Sequence, residues 1–310
     1  MTAAPATLSL SHVTKRYREL EAVSDVTLAA RPGEALGFLG PNGAGKTTTI
    51  RILTGFLRPS AGSVQLLGRV LFAGGRADAR AALLARRDLG YVPDVAGLDA
   101  AATGVWLLDD LARLQGRPPV DRAMLIDALE LTTRDLRRPM GRLSRGTRQK
   151  INIVQGLQHR PEAIILDEPT EGLDPLAKRA LFRLLEEARA RGATIFFSSH
   201  ILSEVEGLCD RVALIRRGRL VAVDEIAALR AHLGRRVAIL PHEGIDLDAE
   251  LATLPGAGHV VRRDGRWQFV AADLPALLAL LARLPVRDVT IEPPSLEEVF
   301  LSYYRDEVEA

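Results

Sequence analysis

Gly40-Pro41-Asn42-Gly43-Ala44-Gly45-Lys46-Thr47-Thr48 follows the apolar stretch 34–39 and opens onto a helical pattern over 48–53. A strand that leads through a glycine-rich turn into a helix is the setting of a phosphate-binding loop. Gly40, Gly43 and Gly45 let the backbone curl around an anion with its N–H groups pointing inward, and Pro41, Asn42 and Ala44 ride on the same curve. Lys46 supplies a point charge for β- and γ-phosphates and Thr47 a hydroxyl for Mg²⁺. Thr48 begins the helix whose positive end faces the phosphates. The stretch marks an α/β nucleotide-binding chain without specifying the nucleotide or its use.

The 310 residues have room for a large domain and a smaller one, predicted at 1–224 and 225–310. A net charge of +2 and the lack of a long like-charge tail give no reason to expect nucleic acid as a partner. Arg134, Arg137, Arg138, Arg142, Arg145, Arg148 and Lys150 crowd one region, but no aromatic residues interleave to stack bases. That region reads as a solvated or phosphate-facing surface. The single cysteine, Cys209, reads as a packed helix residue and suits a reducing compartment. The amino terminus lacks a signal-peptide pattern, and no apolar run approaches the ~20 residues that cross a bilayer. The expectation is a soluble chain whose membrane role, if it has one, comes through a partner.

Alternating apolar and polar residues predict antiparallel strands over 7–13 and 23–30, and a short strand over 63–67. A helix is expected over 77–87 and a strand over 89–92. Helical spacing then runs from 99 to 131, with Val105, Leu108, Leu111 and Leu114 on one face and Met124, Leu125, Ala128 and Leu129 after Pro118-Pro119. The runs 163–166 and 194–198 read as buried parallel strands around a helix at 175–191. A hairpin is expected from 212–215 and 219–223. Strands at 237–240, 259–263, 267–270 and 286–291, with a helix at 274–284, predict a compact α+β appendage closed by a capped helix over 295–304.

Ala163-Ile164-Ile165-Leu166 ends in Asp167-Glu168, two carboxylates placed where a phosphate-loop enzyme opposes its lysine. Asp167 suits a Mg²⁺ shell, and Glu168 suits the base that orients and deprotonates water. Leu143-Ser144-Arg145-Gly146-Thr147-Arg148-Gln149-Lys150 lies shortly before, and Gly172-Leu173-Asp174-Pro175 and Ser198-Ser199-His200 follow. This succession of five motifs over about residues 8–224 resembles the nucleotide-binding subunit of ATP-binding cassette (ABC) transporters.

The resemblance implies a P-loop NTPase core of ABC type, with an antiparallel β-subdomain and a helical subdomain at about 95–158, plus the small C-terminal α+β domain. ATP and Mg²⁺ are the implied ligands. Ser144 and Gly146 would bind the γ-phosphate of ATP held by a second subunit of a homodimer, and Asp174 would communicate across that interface. His200 would hydrogen-bond the γ-phosphate, and Tyr17 would stack on adenine. On the residues alone, His200 also reads as a core or cap histidine and Tyr17 as a strand residue. Asp174 before Pro175 also fits a helix N-cap.

Two positions depart from the family pattern. Arg145 and Thr147 stand where the signature generally has Gly and Gln, and Asp94 falls where the loop glutamine belongs. A carboxylate there can meet Mg²⁺ or water but cannot donate as an amide does, so Asp94 is read both as a site residue and metal ligand and as a plain turn or helix-cap residue. The sequence 293–301 resembles the ending of the ATPases that serve bacterial exporters of drugs, antibiotics or polysaccharides. The implied function is an ATPase that drives integral-membrane permease subunits from the cytoplasmic face of the membrane, with their contact near residues 94–106. An importer ATPase, a non-transport nucleotide-dependent regulator and a binding module without turnover are the alternatives.

Overall fold

The alternating pattern at the amino terminus forms a hairpin of β1 (Leu8–Tyr17) and β2 (Leu20–Ala30), longer at the turn than the pattern indicates. The computed structural model describes residues 6–94, 99–228, 234–242, 245–263 and 265–292. In it β1 also pairs antiparallel with β4 (Ala61–Leu66). Then β5 (Arg69–Ala73) and β6 (Arg76–Ala77) complete a sheet ordered β2-β1-β4-β5-β6. Neither β5 nor β6 is expected from the sequence, where glycines interrupt the alternation at Gly68, Gly74 and Gly75.

Every residue of β3 (Ala35–Leu39) is buried, as in a strand covered on both faces. It is central to a second sheet ordered β11-β10-β3-β9-β8-β7. Here β7 (Leu89–Val92), β8 (Ala163–Asp167), β9 (Thr194–Ser199) and β10 (Arg211–Arg216) run parallel to it, and β11 (Arg219–Glu225) forms the edge. Helices make the crossovers. After β3 comes α1 (Lys46–Leu53), α2 (Ala79–Arg87) precedes β7, α7 (Pro175–Ala190) joins β8 to β9, and α8 (Leu202–Leu208) joins β9 to β10. Because β3, β9 and β8 are neighbours, the segments leaving their carboxyl ends converge at one edge, where open parallel sheets bind ligands.

Leu36, Phe38, Ile50, Leu53, Ile165 and Phe196 are among the residues of the core that ties α1 to both sheets, with the Phe38 and Phe196 rings 5.2 Å apart. Each such side chain contributes about 1.5–3 kcal/mol through burial, which holds the platform beneath the loop together.

Between β7 and β8 lie α3 (Gly104–Gln115), α4 (Arg122–Ala128), α5 (Thr133–Arg137) and α6 (Arg145–Leu157). Thr103 caps α3 by accepting the Trp106 N–H, and Gly116 ends it in the left-handed conformation, φ 65°. The buried stripe of α3 differs from the expected face. Leu107, Leu108 and Ala112 are buried, whereas Val105 and Leu114 are exposed. In α4 and its C-cap, Leu125 and Leu129 face inward and Met124 does not.

Contacts divide the chain into units Met1–Val223 and Asp224–Ala310. The second contains β12 (Arg235–Pro241), α9 (Asp248–Ala252), β13 (Ala257–Arg263), β14 (Arg266–Ala271), α10 (Leu274–Leu281) and β15 (Val286–Glu292). Its sheet, ordered β13-β14-β12-β15 with antiparallel pairs, has the split β-α-β-β-α-β topology. Trp267 fills its core and donates from Nε1 to Asp248 at 2.8 Å. The sequence misses α9, which is too short to show a period. The helix expected over 295–304 lies outside the described residues.

Candidate active site

The turn after β3 is shaped by packing as much as by its anion-binding pattern. A Cβ at Gly40 would sit 2.3 Å from the Ile215 carbonyl, and one at Gly45, where φ is 106°, would lie 2.7 Å from that of Ala22. Only glycine fits either place. The loop is also stitched to the hairpin turn between β10 and β11, where Gly218 N–H donates to Ala44 O at 2.9 Å and Ser24 N–H donates to Gly218 O at 2.8 Å.

A cleft of about 660 Å³ opens over this loop. Pro41, Asn42, Gly43, Gly45, Lys46, Thr47 and Thr48 line it, together with Tyr17 from the end of β1 and Glu168 from the loop after β8. Gly40 and Ala44 are buried beneath. Tyr17 is 46% exposed, and Lys15 Nζ lies over its ring, 5.0 Å from the centroid. Glu21, Arg217 and Gly218 also line the cleft. In the sequence 217–218 shows only as the connection of a hairpin, and nothing marks Glu21.

Lys46 is 6% exposed, and its ammonium donates to Gly40 O at 2.5 Å and Pro41 O at 3.2 Å. It also lies 3.1 Å from Glu168 Oε1, an ion pair without hydrogen-bond geometry. The other oxygen, Glu168 Oε2, is 2.8 Å from His200 Nδ1. Thus the carboxylate after β8, the imidazole after β9 and the ammonium after β3 meet at the carboxyl edge of the sheet, as the strand order requires. Glu168 has φ 50°, a conformation that costs a non-glycine residue energy and clusters at functional sites.

Asp167 is 2% exposed, and Ser198 Oγ donates to its Oδ1 at 2.9 Å. Burial pushes the Asp167 carboxyl up, opposed by the neighbouring Thr47 and Ser198 hydroxyls. Ser198 Oγ also accepts the Glu168 N–H at 3.2 Å, so one hydroxyl holds both acidic residues. In the sequence Ser198 stands in the motif Ser198-Ser199-His200 with nothing to indicate this role. A carboxylate buried beside a threonine hydroxyl is a hard-oxygen donor pair that fits Mg²⁺. Among the described residues, no group of three or more His, Cys, Asp or Glu converges as a metal cage.

Asp167 and His200 do not line the cleft themselves and join it through Thr47, Ser198 and Glu168, and Asp94, Ser144, Gly146 and Asp174 do not line it either. Ser144 caps α6, its Oγ accepting the Thr147 N–H at 3.1 Å. A Cβ on Gly146 would stand 2.6 Å from the Gly172 carbonyl, so the helix start lies against the loop after β8. Asp174 caps α7 by accepting the Ala177 N–H at 2.8 Å, which holds its carboxyl below the usual range, with Lys150 Nζ at 3.6 Å adding to the effect.

The two departures from the family pattern meet each other. Arg145 lies 2.9 Å from Glu171 and 3.9 Å from Asp94. Behind them, a ladder of buried amides unnoticed in the sequence fixes α6 to the core. Gln149 donates to Pro169 O at 2.7 Å, Asn152 to Pro93 O at 2.6 Å and Gln155 to Tyr91 O at 2.6 Å.

The family described as "ABC transporter" matches residues 23–171. The bacitracin transport ATP-binding protein BcrA of Bacillus licheniformis is 37% identical over 218 residues, covering 69% of this chain and 68% of that protein. The Nod factor export ATP-binding protein I of Ralstonia nicotianae is 33% identical over 305 residues, 95% of this chain and 92% of its own. A solved ATP-binding subunit of an ABC transporter shares 31% identity at a TM-score of 0.65, over 72% of this chain and 92% of that one. With a phosphate loop, two carboxylates and a histidine gathered at one sheet edge, and a relative matched along nearly its whole length, the chain belongs to the ABC transporter family as an ATP-binding, ATP-hydrolysing subunit.

Proposed function

We propose that this chain is the motor of an ABC exporter. It binds MgATP between two copies of itself and passes the resulting closure to separate integral-membrane permease subunits from the cytoplasmic face. The observation that carries this reading is the split between the groups gathered at the cleft and those left away from it. Lys46 and Glu168 line the cleft and His200 joins them through its 2.8 Å contact with Glu168, whereas Ser144 and Gly146, at a helix start suited to phosphate, do not line it. A second copy offering its own helix start would complete the pocket.

In this reading Lys46 exchanges its bonds to Gly40 O, Pro41 O and Glu168 for the β- and γ-phosphates. That exchange releases Glu168 from its ammonium partner and leaves it free to accept a proton from water. His200 orients Glu168 and the γ-phosphate, and Tyr17 stacks on adenine. Thr47 and Asp167 would hold Mg²⁺, which neutralises charge on the phosphate oxygens. Asp94 follows β7 by two residues, and its carboxylate would answer to the metal or its water. Asp174 would meet the partner copy.

Export is supported by the relatives, whose names are a bacitracin transporter and a Nod factor exporter. A permease surface is supported by a groove of about 460 Å³ between core and insertion, lined by Phe56, Leu83, Tyr91, Leu107, Leu111 and Leu114. No described helix is long and apolar enough to cross a membrane, which fits a motor that acts through partner subunits. Calorimetric titration tests the cradle. Wild type should bind MgATP and Lys46→Ala should lose at least about a hundredfold in affinity. Equal binding by the two would refute it.

A further inference from the structure

Glu204 has no part in the scheme above, yet it is a nearly inaccessible carboxylate, 7% exposed, in the first turn of α8. A carboxylate is withdrawn from water at heavy cost unless it is paired and hydrogen-bonded, and this one is held from three segments. Thr170 Oγ1 donates to Oε2 at 2.7 Å, Ser199 Oγ donates to the same oxygen at 2.9 Å, and Lys178 Nζ donates to Oε1 at 2.9 Å.

Each donor belongs to a segment that also carries a group of the proposed nucleotide site. Thr170 lies two residues beyond Glu168, Ser199 directly precedes His200, and Lys178 lies one helical turn beyond Asp174 in α7. The contact between His200 Nδ1 and Glu168 Oε2 at 2.8 Å closes a ring through Thr170, Glu204 and Ser199. Ser199 Oγ further accepts the Ile201 N–H at 2.9 Å, which shapes the backbone around His200. Glu204 itself does not line the cleft.

We propose that Glu204 is a positioning residue, which sets His200 against Glu168 and, through Lys178, makes that geometry answer to the Asp174 end of α7. The inference rests on the ATPase reading of the site. Glutamine at 204 keeps the volume but replaces one accepting oxygen by an NH₂ group, so one arm of the tie must fail without leaving a cavity.

The test uses the full chain as wild type, Glu204→Gln, Lys178→Met and the double variant. Steady-state ATPase kinetics, MgATP affinity and imidazole spectra of ¹⁵N-histidine-labelled protein are measured, with His200 assigned through His200→Gln. The inference expects Glu204→Gln to keep the wild-type KM and ATP affinity, to lose roughly ten- to a hundredfold in kcat, and to shift the His200 ring resonances. The double variant should be no slower than Glu204→Gln, because both changes break one tie. An unchanged kcat in Glu204→Gln overturns the proposal. So does a loss of kcat that merely follows lost ATP affinity while the His200 resonances stay in place. A wild type that binds but never hydrolyses MgATP would instead sink the ATPase reading, and the His200 spectra would still report whether Glu204 holds the ring.

Discussion

Ser198→Ala removes one oxygen and tests the claim that both acidic residues after β8 hang on a single hydroxyl. Ser198 is fully buried, donates to Asp167 Oδ1 at 2.9 Å and accepts the Glu168 N–H at 3.2 Å. A hydrogen bond to a charged group is worth about 1.5–3 kcal/mol, and an orphaned buried N–H costs about 1–3 kcal/mol. The two losses share one site and do not add in full, so the expected destabilisation is about 2–3 kcal/mol. For a unit of this size that lowers Tm by roughly 4–12 °C. The pH dependence has a definite sign. The Asp167 carboxyl is already raised by burial, and Ser198 is one of the groups pulling it down, so the variant raises it further. Protonated Asp167 has no need of the lost donor, so the stability deficit is largest above the Asp167 pKa and shrinks as pH falls through it. Urea unfolding across pH measures this, and ATPase activity against Mg²⁺ concentration should show a higher metal requirement. An unaltered midpoint together with an unaltered Mg²⁺ requirement would refute the reasoning.

Other outcomes follow from the same geometry. Arg145→Gly, which restores the residue usual for the family, should change unfolding free energy by less than about 1 kcal/mol, because Arg145, Glu171 and Asp94 are all largely exposed. A loss of several kcal/mol on denaturant titration would mean that Arg145 holds the helical subdomain to the core. Burial, with the charge of Asp167 adding to it, pushes the Tyr91 phenol up to about 12. The unfolded chain releases this proton first, so the contribution is intact below the ordinary value of about 10 and is lost as pH rises towards the folded value. Absorbance titration of the four tyrosines should show a late step that Tyr91→Phe removes, and its persistence in that variant would contradict the assignment.

The phosphate loop, the parallel strands beside it and the acidic end of β8 were legible because each rests on local pattern: glycines between strand and helix, or an apolar run ending in carboxylates. What the sequence concealed depends on tertiary partners. Val105 and Leu114 keep a helical period, yet α3 begins at Gly104 and turns Leu107 and Ala112 inward instead. Gln149, Asn152 and Gln155 have a spacing of three residues that puts them on one helix face, and that face meets the carbonyls of β7 and of the loops after β7 and β8. The spacing was the available signal. Ser198 stands in a motif that points to His200 and not to the serine's own role, and Glu204 carries no local signal, since a glutamate in a first helical turn is ordinary. The pairing of Arg145 with Asp94 joins positions far apart in the chain, and two departures from a family pattern were the only hint that they belong together.

The central claim is that two copies of this chain enclose ATP and that Glu168 breaks the enclosure by hydrolysis. Size-exclusion chromatography with light scattering on Glu168→Gln, with and without MgATP, tests it most directly. The account predicts a monomer without nucleotide and a stable dimer holding unhydrolysed ATP with it. A Glu168→Gln protein that stays monomeric with saturating MgATP, or that hydrolyses it at the wild-type rate, would contradict the account.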